Sequence, residues 1–405
     1  ARCHLRGLQA VLADGEVIQA GREPLAPAAG ADRSPRKRAL VEELARLLAR
    51  HADLIRQKQP DAAVNYCGYN LAGVLRADGP DGGYLDLARL LAGSEGTLAL
   101  FTEADLATQP LPRCRGVALL LFASLEAASR AVPQILPHQP SICDLMDRRH
   151  VILARENEVR FDLLIPRQTE AVLLVEQEGD DLLEVRGRLQ RLVDEICRQK
   201  RLATCSRQAF DPSEAELFLR LAAMAQPALY RMKGPTRPVP VVEDMAVPPD
   251  RLSEFLVRVQ NVLKQHHVTA SLFCHAGQGQ LHLQPFLDLA NPGDLRRMRR
   301  LADDLYEQLF ELGGTIGSEH GCGLSRTPYL ARQYGELYGV MRQIKRIFDP
   351  SNILNPGKII GDDPDLLVRN VRPVVAPPPE SPAAEKDQSE LPGLRNLVEL
   401  QVNWE

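Results

Sequence analysis

The chain has 405 residues, 44% of them hydrophobic, with 49 Lys and Arg against 53 Asp and Glu for a formal net charge of -4. That balance suits a globular protein of about two domains with substantial cores and gives no basic footprint for nucleic acid. No apolar run approaches the roughly 18 residues of a membrane span, and Ala1-Arg2-Cys3-His4 resembles neither a signal peptide nor a natural start. The expectation is a cytoplasmic protein whose beginning is missing, with peripheral association at the inner face of the membrane left open. The cysteines (Cys3, Cys67, Cys114, Cys143, Cys197, Cys205, Cys274, Cys322) are scattered without a C-x-x-C, so neither a disulfide scaffold nor an iron-sulfur ligand set is indicated.

In chain order, Leu8 to Leu12 and Glu16 to Ala20 around Asp14-Gly15 predict a hairpin. Leu40, Leu44, Leu47, Leu48 and Leu54 keep a helical period from Ala39 to Gln57. Two glycine-punctuated segments follow, Asn65 to Leu71 and Asp86 to Leu98, and the Pro-rich stretch Gln109 to Pro112 closes this block. From Arg113 strands alternate with helices. The strand candidates are Val117–Phe122, Ala171–Glu176, Val239–Val247, Thr269–His275 and Gln280–Phe286. The amphipathic stripes are Leu182 to Ile196, Leu252 to Leu263 and Leu295 to Leu309. This order predicts an α+β fold of ferredoxin-like kind, an open sheet with helices on one face. Near Val371 the composition shifts again. Pro377-Pro378-Pro379, Pro382 and the polar run Glu385 to Glu390 predict an exposed linker, and Leu394, Leu397, Leu400 and Trp404 the start of a further element. No internal repeat is present.

The chemistry-bearing pattern lies in two glycine-rich runs. His275 and His282 bracket Ala276-Gly277-Gln278-Gly279-Gln280-Leu281, and Glu319-His320 sits inside Gly313 to Gly321. Two neutral imidazoles and a carboxylate suit a borderline divalent metal with an open coordination position, and a further histidine beside them can move protons. One histidine in a strand is ordinarily a core or surface residue. Two flanking a glycine-rich turn, with a Glu-His pair downstream, indicate a site.

Several segments, in order, resemble one family. They are Gly68-Tyr69-Asn70-Leu71, Gly93-Ser94-Glu95-Gly96-Thr97-Leu98, Val242-Glu243-Asp244-Met245-Ala246-Val247-Pro248, the run His275 to His282, the run Gly314 to Gly323, and Phe348-Asp349-Pro350-Ser351-Asn352-Ile353-Leu354-Asn355-Pro356-Gly357-Lys358. From about Leu5 to Gly361 the chain resembles the FAD-linked oxidases of the vanillyl-alcohol oxidase and p-cresol methylhydroxylase superfamily. The resembling branch holds D-lactate dehydrogenase, the FAD subunit of glycolate oxidase and D-2-hydroxyglutarate dehydrogenase, and in particular large bacterial members joined to a C-terminal iron-sulfur domain.

The resemblance implies three regions. Residues 1–112 are the second half of a p-cresol methylhydroxylase-type FAD-binding domain, whose pyrophosphate-binding half would precede Ala1. Residues 113–362 are an α+β substrate and metal domain, an antiparallel sheet flanked by helices, and 363–405 a linker towards a domain carrying a 4Fe-4S cluster. It also implies roles. His275, His282 and Glu319 hold zinc or manganese, His320 is the general base, and Arg220 receives the substrate carboxylate, with Arg326 and Lys358 as weaker candidates. Gly68, Tyr69, Gly93, Ser94, Glu95, Gly96, Thr97 and Lys358 touch FAD. The implied reaction oxidises a small D-2-hydroxy acid to its 2-oxo acid with hydride passing to the flavin. Electrons then go to an iron-sulfur domain, a cytochrome or the quinone pool.

The chain departs from the family pattern where Gln278 and Gln280 replace the Asp and Asn of H-A-G-D-G-N-x-H, and where Val242 stands in place of a lysine of the 2-hydroxyglutarate enzymes. Two other readings of the same residues are a metal-dependent hydrolase and a non-catalytic electron-relay subunit. Cys322, lacking a base of its own, is read as structural.

Overall fold

In the computed structural model, which describes residues 4–26, 34–58, 64–76, 83–232 and 234–373, the Asp14-Gly15 turn joins β1 (Leu5–Val11) to β2 (Val17–Ala20) as an antiparallel hairpin. Its inward residues Leu8, Ala10, Ile18 and Ala20 are buried. Strand β6 (Leu100–Leu106) pairs with the other edge of β1. A second small sheet is formed by β3 (Arg22–Pro24), β4 (Leu75–Arg76) and β5 (Tyr84–Asp86), in the order β3-β5-β4. The predicted helix over 39–57 is two helices, α1 (Pro35–Arg50) and α2 (Ala52–Lys58). Ser34 caps the first by accepting the Lys37 N–H, and Pro35 occupies its first turn. The short helix α3 (Leu87–Leu91) leads into the turn at Gly93 to Thr97.

The larger sheet runs in the order β10-β7-β9-β8-β13-β14-β11, and every pairing in it is antiparallel. Its strands are β7 (Cys114–Phe122), β8 (Ile142–Asp147), β9 (Ala171–Gly179), β10 (Cys205–Ala209), β11 (Arg237–Pro238), β13 (Ala270–His275) and β14 (Gln280–Leu287), with β12 (Met245–Ala246) pairing off its edge to β14. The α+β expectation and the antiparallel sheet hold.

Helices on one face only do not. On one side Ala118, Leu120, Phe122, Leu173 and Val175 pack with α4 (Leu125–Ile135), α7 (Leu182–Asp194) and α9 (Leu252–Gln265). On the other, Val117, Leu119, Leu121, Val172 and Leu174 pack with α5 (Arg148–Asn157), α6 (Arg160–Leu164) and α8 (Pro212–Tyr230). The central strands β7 and β9 are apolar on both faces, so each face needs a cover.

A single strand over Val239–Val247 is also corrected: only β12 (Met245–Ala246) falls within it, and β11 (Arg237–Pro238) ends just before it. Pro238 and Pro240 have no N–H to donate, and Asp244 takes φ +73°, which breaks the ladder between them.

Beyond the sheet, α10 (Pro292–Glu311), α11 (Gly323–Arg326), α12 (Leu330–Tyr334), α13 (Glu336–Phe348) and α14 (Leu366–Arg369) complete the described α-helices. Helix α13 returns to the N-terminal part, where Leu337, Met341, Ile344 and Phe348 share one core with Leu40, Leu44 and Leu48. Among the described residues no helix is long and apolar enough to cross a membrane, and the cysteines other than Cys3 are free thiols. The expected linker run from Pro377 and the residues Leu394, Leu397, Leu400 and Trp404 lie outside the described residues.

A candidate metal and redox site

Strands β13 and β14 form a hairpin whose register pairs His275 with Gln280 and Phe273 with His282. Side chains two apart on a strand share a face, so a spacing of seven across this turn brings both imidazoles to one side. Their ring centroids are 5.3 Å apart. The turn needs Gly279. Its φ is +69°, and a Cβ there would lie 2.0 Å from the Val247 carbonyl oxygen.

The register of β13 on β8, Cys274 with Leu145, places Asp144 opposite His275. The two side chains meet, with Nδ1 of His275 2.8 Å from a carboxylate oxygen of Asp144. Burial works against charging His275, yet the hydrogen bond and charge of Asp144 raise its pKa above the usual value. A carboxylate on Nδ1 also leaves Nε2 turned outward, the arrangement typical of metal-bound histidine.

The Glu-His segment reaches the hairpin through Asp244. This carboxylate is fully buried and accepts the N–H groups of Ser318, Glu319 and His320 at 2.8–3.0 Å. It also accepts the Ser318 hydroxyl at 2.5 Å and the Gln280 amide at 2.9 Å. Several donors on one buried carboxylate fix a loop that has no regular secondary structure. Arg326, itself buried, ties the same region by donating to the carbonyls of Gly321, at 3.0 Å, and Glu243, at 2.5 Å. It therefore acts on backbone here.

As a result, ligand atoms of His275, His282 and Glu319 lie within 4.8 Å of one another, and so do those of Glu243, His282 and His320. The two sets share His282. Glu243 stands 3.5 Å from Nδ1 of His282 and 3.9 Å from Nδ1 of His320. Burial alone would raise the Glu243 pKa. The hydrogen bond from His282 and the charges of His282, His320 and Arg326 outweigh it and hold the carboxyl below its usual range. His320 keeps nearly half of its side chain exposed, at 46%. The donor set of imidazoles with carboxylate, one histidine oriented by a second carboxylate, fits a divalent ion.

The segments expected to touch FAD adjoin this cluster. Glu95 accepts the N–H of Cys322 at 2.6 Å and of Gly323 at 2.8 Å, which joins the Gly93 to Thr97 turn to the chain two residues beyond His320. Gly321 allows that approach, since a Cβ there would lie 2.7 Å from the Glu95 carboxylate. Thr97 Oγ1 bonds the Ser94 carbonyl at 2.6 Å and the buried Tyr69 hydroxyl at 2.7 Å. Gly68 donates to the Cys322 sulfur at 3.0 Å. Lys345, buried with Asp349, donates to the Thr97 carbonyl at 2.7 Å, and Asn355 to the Glu95 carbonyl at 2.6 Å, so the Asp349 to Asn355 motif clamps the turn from behind. Gly93 is exposed, and no atom lies within 4 Å of a Cβ placed on Gly96, where φ is +68°. That open, side-chain-free face, with the unpartnered Ser94 hydroxyl behind it, suits close approach of a flat cofactor.

Two expected residues are not brought to the histidines by any contact. Arg220 is exposed on α8, and its charge acts on Glu158. Among the described side chains of α8, those lining the space beside His282 are Ala222, Ala223 and Leu229. Lys358 is half-buried, and among the described residues its side chain makes no hydrogen bond or ion pair. Asp144, Glu243 and Asp244 were given no role by the sequence pattern. The only available signal was that Glu243 and Asp244 lie in one of the family-like segments.

Residues 111–359 match the family of FAD linked oxidases, C-terminal domain. The chain is 31% identical over 368 residues to D-2-hydroxyglutarate dehydrogenase of Pantoea ananatis, an alignment that covers 88% of this chain and 36% of that protein. It is 33% identical to glycolate oxidase subunit GlcD of Bacillus subtilis, over 69% of this chain and 58% of that one. To D-lactate dehydrogenase of Archaeoglobus fulgidus it is 30% identical, over 68% and 58% respectively. The chain thus spans between roughly a third and three-fifths of the length of these relatives. Among solved structures, p-cresol methylhydroxylase with substrate bound superposes with a TM-score of 0.55 at 15% identity, over 89% of this chain and 65% of that one, a likeness of fold. With the family match covering more than half of its length, the chain belongs to the FAD-linked oxidases, through their C-terminal domain.

Proposed function

We propose that this chain is the substrate- and metal-binding part of an FAD-dependent dehydrogenase that oxidises a small D-2-hydroxy acid to the 2-oxo acid. The observation that carries the reading is the convergence of His275, His282 and Glu319 within 4.8 Å, with His320 beside them. The names of the relatives, dehydrogenases or oxidases of D-2-hydroxyglutarate, glycolate and D-lactate, support the substrate class.

His275, His282 and Glu319 would hold zinc or manganese, and Asp144 keeps His275 in the tautomer that presents Nε2. When bound, such an ion would supply Lewis acidity to the substrate's hydroxyl. His320 takes the α-hydroxyl proton, with the Glu243 carboxylate 3.9 Å from its Nδ1. Gly68, Tyr69 and the Gly93 to Thr97 turn, with Lys358, border the FAD. FAD, when bound, supplies the two-electron acceptor. An iron-sulfur centre, a cytochrome or the quinone pool would take up the electrons.

The test is anaerobic mixing of the flavin-loaded, full-length protein with glycolate, and with D-lactate, D-2-hydroxyglutarate and their L-isomers, while the flavin band is followed. Bleaching by one of the D-acids or glycolate, lost on chelation, is the expected result. Bound flavin that none of them reduces overturns the reading. Metal-dependent ester or amide cleavage without flavin would put a hydrolase in its place.

A further inference from the structure

Immediately beside His282 lies a cavity of about 120 Å³. Its walls are His150, Ala222, Ala223, Leu229, Ser271, Phe273 and Gln284, with His282 itself at one side. Three of these are polar and deeply buried, with His150 and Gln284 3% exposed and Ser271 4%. Among the described lining residues there is no carboxylate, Lys or Arg. His150 donates its Nε2 proton to the Leu221 carbonyl at 2.9 Å, and burial holds it neutral, with a pKa pushed down to about 4.

Gln284 is the telling residue. Its Oε1 is buried and has no hydrogen-bond partner. Leaving such an atom unsatisfied costs about 1–3 kcal/mol, so native structures rarely keep one without a ligand or water to meet it. Turning the amide over exchanges a lone acceptor for a lone donor. A hydroxyl satisfies either, since it donates and accepts. A carboxylate would find no cation among the described lining residues and would bear its full desolvation cost. The volume is slightly below that of the roughly 150 Å³ engineered cavity that takes benzene, which sets an occupant of about four heavy atoms.

We infer that this cavity is the side-chain subsite of the enzyme, and that Gln284 and Ser271 select a 2-hydroxy acid with a short, neutral, hydroxyl-bearing substituent over one ending in a second carboxylate. The inference rests on the reaction proposed above.

The experiment compares D-2,4-dihydroxybutanoate, its apolar isostere D-2-hydroxypentanoate and D-2-hydroxyglutarate as reductants of the flavin in the full-length, metal-loaded protein. The expected kcat/KM for the dihydroxy acid exceeds that for the dicarboxylate by about 100-fold or more. Gln284→Leu should lower the dihydroxy-acid value by about 10-fold through KM and leave the isostere unchanged. Binding gives a second readout. The rise in melting temperature caused by the dihydroxy acid should shrink in Gln284→Leu and recover in part in Gln284→Asn. If Gln284→Leu fails to load flavin, Ser271→Ala carries the same comparison.

Equal reduction by D-2-hydroxyglutarate overturns the subsite. So does a Gln284→Leu protein with the wild-type ratio of dihydroxy acid to isostere, which would mean that Gln284 meets an ordered water only. Flavin that no 2-hydroxy acid reduces overturns the reaction itself, and so the two failures are told apart.

Discussion

Phe273 stands between two histidines of opposite character. On one side it stacks on His150 with ring centroids 5.6 Å apart, and on the other its ring meets His275 edge-on at 4.9 Å. Burial dominates at His150, whose polar neighbour is the Leu221 carbonyl, so the ring stays neutral down to a pKa of about 4. At His275 burial acts in the same direction, but Asp144 reverses it and the pKa rises above the usual value. One aromatic ring thus separates a histidine that walls a cavity from one that can bind an ion. The nearest carboxylate makes the difference, and a backbone carbonyl is no substitute for its charge.

Removing the ion-binding side should have the largest effect. His282→Ala, which breaks both candidate ligand sets, should empty the metal site as read by elemental analysis. Flavin reduction should then slow on the order of 10³-fold, the equivalent of several kcal/mol of lost Lewis-acid stabilisation. Next comes His320→Ala, expected to slow reduction by about 10²–10⁴-fold with metal content intact. Metal loss in that variant would instead make Glu243, His282 and His320 the ligands.

Asp144→Asn tests the comparison most directly. It keeps the shape but removes the charge, and metal affinity should weaken by about 10–100-fold in a chelator competition.

The smallest effect belongs to His150 and depends on pH. Its folded pKa lies below the unfolded value of 6.5, so as the pH falls through 6.5 the unfolded chain takes up the proton first. Stability is lost from there down to a pH of about 4, where the folded protein titrates too. Asp147, raised to about 6 by burial, acts in the opposite sense over nearly the same window, so wild type must be compared with a histidine variant. His150→Gln should be relatively more stable than wild type by about 2 kcal/mol near pH 5 than at neutral pH, measured by urea unfolding at both. An unchanged difference between the two pH values would show that His150 is not held neutral.

Much of the fold could be read from local pattern. The Asp14-Gly15 hairpin, β7, β9, β13, β14, α7, α9 and α10 all carry apolar residues at the period their structure requires. Strand β8 was missed because Ile142-Cys143-Asp144-Leu145-Met146-Asp147 neither alternates nor runs continuously apolar. Strand β6 was missed because all of its residues are exposed, which leaves no buried face to read. The Val239 to Val247 stretch was overread, since apolar side chains suggested a ladder that prolines and a left-handed Asp244 cannot make.

The candidate site divides in the same way. His275 and His282 declare themselves through a spacing of seven around glycines, and Glu319-His320 through its glycine-rich setting. Asp144 lies 131 residues from the histidine it orients, and Asp244 is 74–76 residues from the loop it holds. No local period connects such positions. Arg220, suggested by a motif, is exposed on α8, whose residues Ala222, Ala223 and Leu229 line the space beside His282.

By itself, then, the sequence determined that two imidazoles share one face of a hairpin, because strand alternation and a glycine turn are properties of neighbouring residues. It also determined the family, because six short segments keep their order along the chain. Only the tertiary structure decided which acids act on those imidazoles and which polar group faces a cavity without a partner. A carboxylate's effect depends on its distance, burial and competing donors, and folding sets all three by bringing together residues that are far apart in the chain.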